Sequence, residues 1–189
     1  MNKSPSGKLG AVQLWWNLPQ PRPRVLKLED IVEEQPSGVR WHQPHETEKL
    51  LAMMSEFNLR KVEKALEAGQ RVVGTVYRRT RPDENGVKRQ RAEVRFDGVA
   101  GCLRTPSGGS SRQTIVVVEN GTVRSRLLSP REAARLMGLP ESYLLPERYN
   151  DAYHLAGDGV CVDVVQFLSQ NLLVPLTADA VDEMCIAAE

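Results

Sequence analysis

The chain is short of cysteine, of long apolar runs and of net charge, and each shortage removes a class of protein. Its three cysteines, Cys102, Cys161 and Cys185, are odd in number and widely spaced. That argues against a disulfide framework and fits a reducing compartment. No run of eighteen or more consecutive apolar residues occurs, so no membrane-spanning helix and no membrane partner are expected. Residues Met1–Gly10 lack the basic-then-apolar layout of a secretory signal. His42 and His45 stand near Glu46 without Cys or His partners at zinc spacing, so no metal site is expected. The formal net charge is +1, which by itself draws the chain neither to nucleic acid nor to a lipid surface. What is present, 189 residues of which 41% are hydrophobic, suffices for about one domain, or a domain with an appendage.

The neutral average conceals a segregation. Arg71–Arg126 holds twelve Lys and Arg against five Asp and Glu, while the remainder of the chain is net acidic. Most of the basic residues are arginines: Arg71, Arg78, Arg79, Arg81, Arg89, Arg91, Arg95, Arg104 and Arg112. Arginine suits bidentate contact with phosphate or a guanine edge, so the asymmetry points to nucleic acid. A solvated, arginine-rich strand ribbon is the plain alternative.

Residues 1–24 read as an arm, flexible at Ser4–Gly7 and held extended by Pro19, Pro21 and Pro23. Trp15 and Trp16 within it need an apolar surface, either the chain's own core or a second polypeptide. A short helix is expected over Leu26–Glu34, then a longer helix or helix pair over Glu46–Ala68. Its stripe of Leu50, Leu51, Met54, Phe57, Leu59, Val62 and Leu66 reads as core.

From Arg71 the period changes to that of strands. Val72–Tyr77 and Ala92–Phe96 flank a turn with Asn85-Gly86 at its tip, and Thr114–Val118 returns through Glu119-Asn120-Gly121-Thr122 into Val123–Leu127. The expectation is a small twisted antiparallel sheet that carries the arginines. Between the hairpins, Gly101–Gln113 has neither period. Its glycines allow close backbone approach, and its hydroxyls suit phosphate or sugar oxygens. It is not a Walker loop, because no Gly-Lys-Ser/Thr ending follows.

Ser129-Pro130-Arg131-Glu132 carries a complete helix start, with Ser129 as cap, Pro130 in the first turn and Glu132 reaching back. Gly138 and Pro140 end that helix. Gly157-Asp158-Gly159 then precedes an apolar stripe of Cys161, Val164, Val165, Leu168 and Leu172, so it reads as a glycine turn at a helix N-terminus suited to an anion or a small cofactor.

In this order and spacing, the last two features resemble a known family. Arg126-Leu-Leu-Ser-Pro-Arg-Glu-Ala-Ala-Arg-Leu-Met-Gly-Leu-Pro-Glu-Ser-Tyr143 resembles the ninth conserved motif of DNA cytosine-5 methyltransferases. Ala152-Tyr-His-Leu-Ala-Gly-Asp-Gly-Val-Cys-Val162 resembles the tenth, normally written Tyr-Lys-Gln-x-Gly-Asn-Ser/Ala-Val. The family sets its target-recognition domain just before the ninth motif, where the arginine-rich segment lies here. Residues 15–176 are thus similar to the C-terminal portion of such enzymes. The family's Pro-Cys-Gln nucleophile loop, its Glu-Asn-Val base-binding segment and its Phe-x-Gly-x-Gly cofactor loop are not in this sequence. Glu119-Asn120-Gly121 echoes the second of these, but its place between two strands makes it a hairpin turn.

The resemblance implies an α+β chain. Residues 1–24 are the arm, 25–126 a target-recognition region with a small arginine-rich antiparallel sheet, 127–176 helices completing a Rossmann-like domain whose main sheet is elsewhere, and 177–189 an acidic tail. Double-stranded DNA is the implied partner. Arg78, Arg79, Arg81, Arg89, Arg91 and Arg95 would position the duplex, and Arg104, Thr105, Ser110, Ser111, Arg112 and Gln113 would touch bases or the backbone near them. Gly157, Asp158, Gly159 and Val160 would close one side of an S-adenosylmethionine site shared with a catalytic half. Asp158 stands where the family has asparagine, which sets a carboxylate near that of the methyl donor. No catalytic residue is expected in this chain. Without the catalytic half, self-association is expected. The implied setting is the prokaryotic cytoplasm at the nucleoid, within restriction-modification. A stand-alone DNA-binding module and an inactive remnant are the alternatives.

Overall fold

The computed structural model describes residues 16–82, 85–103 and 112–177. Two compact units emerge: one from Pro23 to Gln166, the other from Met1–Arg22 with Phe167–Glu189. The expected boundary at residue 126 falls inside the larger unit.

The larger unit begins with α1 (Leu28–Ile31), a single turn rather than the longer helix expected over 26–34. Val32 turns extended, and the Glu33 amide donates to Glu132 Oε1 at 2.7 Å instead of continuing the helix. A buried carboxylate from elsewhere has captured the donor that a second turn needs. Next come α2 (Pro44–Ala52) and α3 (Glu56–Glu67), the expected helix pair. Pro44 sits in the first turn of α2, and Glu46 accepts from the Gln43 amide at 2.7 Å.

Four strands follow: β1 (Val72–Pro82), β2 (Lys88–Arg95), β3 (Thr114–Glu119) and β4 (Thr122–Leu127). They form one antiparallel sheet in the order β2-β1-β3-β4. Asn120 and Gly121 both adopt left-handed φ values, 50° and 70°, as a two-residue hairpin turn requires. The base-binding reading of Glu119-Asn120 is thereby excluded in favour of the turn.

Both faces of the sheet are covered. Val73, Ile115 and Val117 pack with Leu28, Leu128, Ala133 and Tyr153 on one side, and Val76, Val94 and Val116 pack with Leu50, Met54 and Val62 on the other. This two-sided burial explains why β3 reads as an unbroken apolar run, Ile115–Val118. Each outer strand also makes one backbone hydrogen bond to a segment outside the sheet. Ala92 N donates to Met53 O at 3.0 Å along β2, and His42 N donates to Ser125 O at 2.9 Å along β4.

After the sheet, α4 (Pro130–Leu136) starts on the expected capping box: Glu132 N donates to Ser129 Oγ at 3.2 Å and Ser129 N to Glu132 Oε2 at 2.8 Å. Glu132 does more than cap. Its two oxygens accept from Arg126 Nη1 at 2.8 Å and Nη2 at 2.6 Å, and both side chains are fully buried. Arg126 Nη2 also donates to Glu33 O at 2.6 Å. One ion pair thus ties β4, α4 and the end of α1 together.

Two further helices, α5 (Tyr149–Asp158) and α6 (Val162–Leu168), complete the run. In the smaller unit, residues 169–173 wind as a π-helical turn, with Asn171 Nδ2 donating to Phe167 O at 2.8 Å. The helical run Tyr149–Thr177 is long and apolar enough, by length and composition alone, to cross a membrane, and none of its most apolar stretch is buried. Its apolar residues are not consecutive, because Asp163, Gln166, Gln170 and Asn171 interrupt the stretch.

Candidate nucleic-acid interface

Strand register sorts the arginines onto faces. β1 pairs with β3 only over Val72–Val76 but with β2 as far as Pro82, so the outer halves of β1 and β2 continue as a two-stranded ribbon. Residues directly opposite in an antiparallel pair share a face, and the face alternates every residue. Thr75 faces Arg95, Tyr77 faces Glu93, Arg79 faces Arg91 and Arg81 faces Arg89. Arg79, Arg89, Arg91 and Arg95 therefore line one face, continuous with the Val73 side of the sheet. The Arg81 side chain lies outside the described atoms. Arg78, opposite Ala92, lies on the other face with Val76 and Val94.

Arg79 and Arg91, exposed and directly opposed, have no ion-pair partner among the described residues. Like charges set directly across a strand pair are destabilising by about 0.2–1 kcal/mol, a cost that an incoming polyanion removes. Arg95 is different. Its Nε donates to Asp97 Oδ1 at 2.8 Å, and its Nη2 to Asp97 Oδ2. Asp97, and after it Tyr77, holds the Arg95 guanidinium above its usual pKa range, while Arg95 holds the Asp97 carboxyl below its own.

A groove of about 1600 Å³ runs around this ribbon. Arg78, Arg79, Arg91, Arg95, Arg112 and Gln113, all named from sequence, contribute to its lining. Gly101 closes one wall: a Cβ there would stand 1.9 Å from Tyr77 Oη, so only glycine lets the backbone lie against that ring. Arg112 sits over the Tyr149 ring, 5.4 Å from its centroid, and donates to Asn150 Oδ1. Burial pushes the Tyr149 hydroxyl well above its usual pKa, so it stays neutral and donates to Leu128 O at 2.9 Å.

Gln113 corrects one expectation. It is 4% exposed, and its Nε2 donates to Val76 O at 3.1 Å and Thr114 O at 3.3 Å. The side chain that sequence offered for base contact serves to join β1 to β3. Arg104, Thr105, Ser110 and Ser111 lie outside the described residues. Cys102 lines the groove as an exposed free thiol.

Phe57 corrects another. Read as core, it is 69% exposed, and Lys61 Nζ stands 4.6 Å over its ring. Phe57 and Lys61 line the same groove from α3, and sequence reasoning missed both. The chain breaks between α2 and α3, so the apolar stripe does not run in phase through both helices. Asn58, Val62 and Ala65 form the buried stripe of α3, and Phe57 falls off it.

The expected cofactor residues occupy a different local structure from the one predicted. Gly157 and Asp158 finish α5, and Gly159 terminates it in an extended conformation, before α6 begins at Val162. Their position is a helix end rather than a glycine turn opening a helix. A Cβ on Gly159 would meet Leu155 O at 2.9 Å, so that glycine is required by its own helix. Asp158 and Val160 are exposed, and neither cavity described here, the groove or a smaller one of about 330 Å³ beside His42, is lined by these residues. By themselves they line no cavity among the described residues. Among the described residues no cluster of His, Cys, Asp or Glu suits a metal ion.

Among the described residues nothing buries the stripe on α6. Val160 is 68%, Val164 50%, Val165 47% and Leu168 37% exposed, and no residue of α6 is buried. Trp16, in the smaller unit, is 53% exposed and so is not part of a core.

The profile of the C-5 cytosine-specific DNA methylase family matches residues 17–173. The type II methyltransferase M.HhaI of Haemophilus parahaemolyticus is 36% identical over 75 residues, 40% of this chain and 22% of that protein. The type II methyltransferase M.DsaV of Dactylococcopsis salina is 40% identical over 58 residues, 31% of this chain and 16% of that protein. M.NlaX of Neisseria lactamica, of the same type, is 33% identical over 63 residues, 33% of this chain and 20% of that protein. The chain therefore matches about a fifth of the length of these relatives. No solved structure matches it significantly. With the profile match running from the arm through the sheet to the last helix, the chain belongs to the C-5 cytosine-specific DNA methylase family.

Proposed function

We propose that this chain is the DNA-recognition and C-terminal part of a DNA cytosine-5 methyltransferase, acting on duplex DNA with a separate catalytic half. The observation that carries the proposal is the basic ribbon: Arg79, Arg89, Arg91 and Arg95 share one face, with Arg79 and Arg91 opposed and without an acidic partner among the described residues. A duplex supplies the missing negative charge, and the groove around the ribbon is far larger than a single nucleotide needs. The arginines would position the duplex, and Arg104, Thr105, Ser110, Ser111 and Arg112 would touch bases or the backbone near them.

In this reading residues 25–126 form the recognition region. Residues 127–176 complete a Rossmann-like domain whose main sheet the other half brings, with 1–24 as an arm and 177–189 as a tail. The exposed Val164, Val165 and Leu168 support it, since each large apolar side chain left in water forgoes about 1.5–3 kcal/mol that a partner sheet would recover. S-adenosylmethionine supplies the methyl group when bound. Gly157, Asp158, Gly159 and Val160 form only the near edge of its site, with the nucleophile and base-binding carboxylate in the other half. The prokaryotic nucleoid is the setting this implies.

A stand-alone DNA-binding module is the second reading, favoured by the core that Pro23–Gln166 builds for itself on both sides of the sheet. Duplex binding by this chain across a salt series tests the part common to both. Affinity should fall steeply, with a log–log slope of about −0.9 for each phosphate neutralised. A flat salt dependence would remove the duplex from the account.

A further inference from the structure

We propose that Phe57 and Lys61 on α3 form a second contact for the DNA backbone, on the side of the ribbon opposite the four-arginine face. The inference rests on the duplex-binding reading above and extends the interface to a helix with no arginine in the groove.

Three observations lead there. Phe57 is 69% exposed on a helix that otherwise buries its apolar stripe against the sheet. Lys61 is held rather than loose: its Nζ donates to Asn58 Oδ1 at 3.2 Å and to Val94 O at 3.1 Å, and it stands 4.6 Å above the Phe57 ring. Asn58 in turn accepts from Val94 N at 3.2 Å, which fixes this corner of α3 to β2. The Val94 face of the ribbon is also the face of Arg78, and Phe57, Lys61 and Arg78 all line the groove.

An anchored ammonium beside an exposed phenyl ring matches one repeating unit of a nucleic-acid strand: the cation takes the phosphate, and the ring covers the apolar face of the adjoining deoxyribose. The charge balance of the groove selects this occupant. Arg78 aside, Lys61, Arg79, Arg91 and Arg112 line it against Glu93, with Arg95 already paired to Asp97. An acidic strand longer than one nucleotide fits that excess; a neutral or cationic partner does not. With arginines on one side and Phe57–Lys61 on the other, the ribbon is gripped from both faces.

Fluorescence anisotropy with a labelled duplex, on the full chain, separates the outcomes. Phe57→Ala should weaken binding about tenfold, as expected for uncovering a phenyl ring, with the salt slope unchanged because no charge is lost. Phe57→Trp should retain wild-type affinity. Lys61→Met should reduce the slope by about 0.9, and Lys61→Arg should keep it. Far-UV circular dichroism and melting should be unchanged by Phe57→Ala, given the exposure of the ring. Wild-type binding with Phe57→Ala and Lys61→Met indistinguishable from it overturns this contact and leaves the duplex reading standing. Equal losses in Phe57→Ala and Phe57→Trp also overturn it. No binding by the wild-type chain overturns the duplex reading and this contact with it.

Discussion

At the scale of single residues, the fold turns on Glu132. Burial pushes its carboxyl upward, but the Arg126 guanidinium and the Ser129 and Glu33 amides outweigh that, and the net pKa lies below the usual value of 4.5. Since the folded value is the lower one, the pair's contribution is complete above about pH 4.5 and is lost as pH falls through the folded pKa. Burial lowers the pKa of His42 below 6.5, so the unfolded state takes up the proton first and the fold loses stability as pH falls below that value. Thermal melting should therefore lose ground from about pH 6.5 downward and more steeply below 4.5. A melting temperature flat from pH 7 to 4 would contradict both assignments. Glu132→Gln should cost about 3–5 kcal/mol in urea unfolding, because it strands Arg126 in the interior. A loss below 1 kcal/mol would show that water reaches the pair. The capping role of Glu132 was legible from Ser129-Pro130-Arg131-Glu132; its ion pair was not. Nothing in a local pattern says that a helix cap six residues from an arginine will share a dry interior with it. Phe57 and Gln113 misled for the same reason in opposite directions, since their surroundings are set by contacts distant in sequence.

At the scale of elements, the sheet was the most legible part. Asn120-Gly121 and Asn85-Gly86 marked both hairpin turns, and the alternation at Ala92, Val94 and Phe96 gave the returning strand. Register was the information that sequence could not supply, and register separates Arg78 from Arg79, Arg89, Arg91 and Arg95. That separation carries a prediction. Replacing Arg79 and Arg91 together by alanine should reduce the salt slope of duplex binding by about 1.8, from two phosphates at about 0.9 each. The folded state should be no less stable in melting experiments, since a like-charge opposition is removed. An unchanged slope would take this face out of the interface. The α5–α6 junction was misread because Gly157 and Gly159 look like a loop; Asp158 and its neighbours instead close a helix whose start, Tyr149, carries no cap of its own.

For the molecule as a whole, two observations pull apart and define the question. The unit Pro23–Gln166 has an interior of its own, yet α6 offers Val164 and Val165 to solvent, with Leu168 beyond them. A finished module gains nothing from that stripe. Sizing by light scattering should accordingly find self-association of the chain alone, relieved by Val164→Lys. A strict monomer with Val164 intact would favour the module. Here the sequence was legible in kind but not in outcome: the apolar period on α6 was plain, but a period does not say whether anything covers it, and among the described residues nothing buries it. Transfer of labelled methyl from S-adenosylmethionine to duplex DNA, measured for this chain, for a polypeptide bearing the family's Pro-Cys-Gln loop and cofactor sheet, and for the two mixed, tests the central claim most directly. The account predicts transfer in the mixture alone. Transfer by this chain unaided, or by the other polypeptide equally well without it, would contradict it.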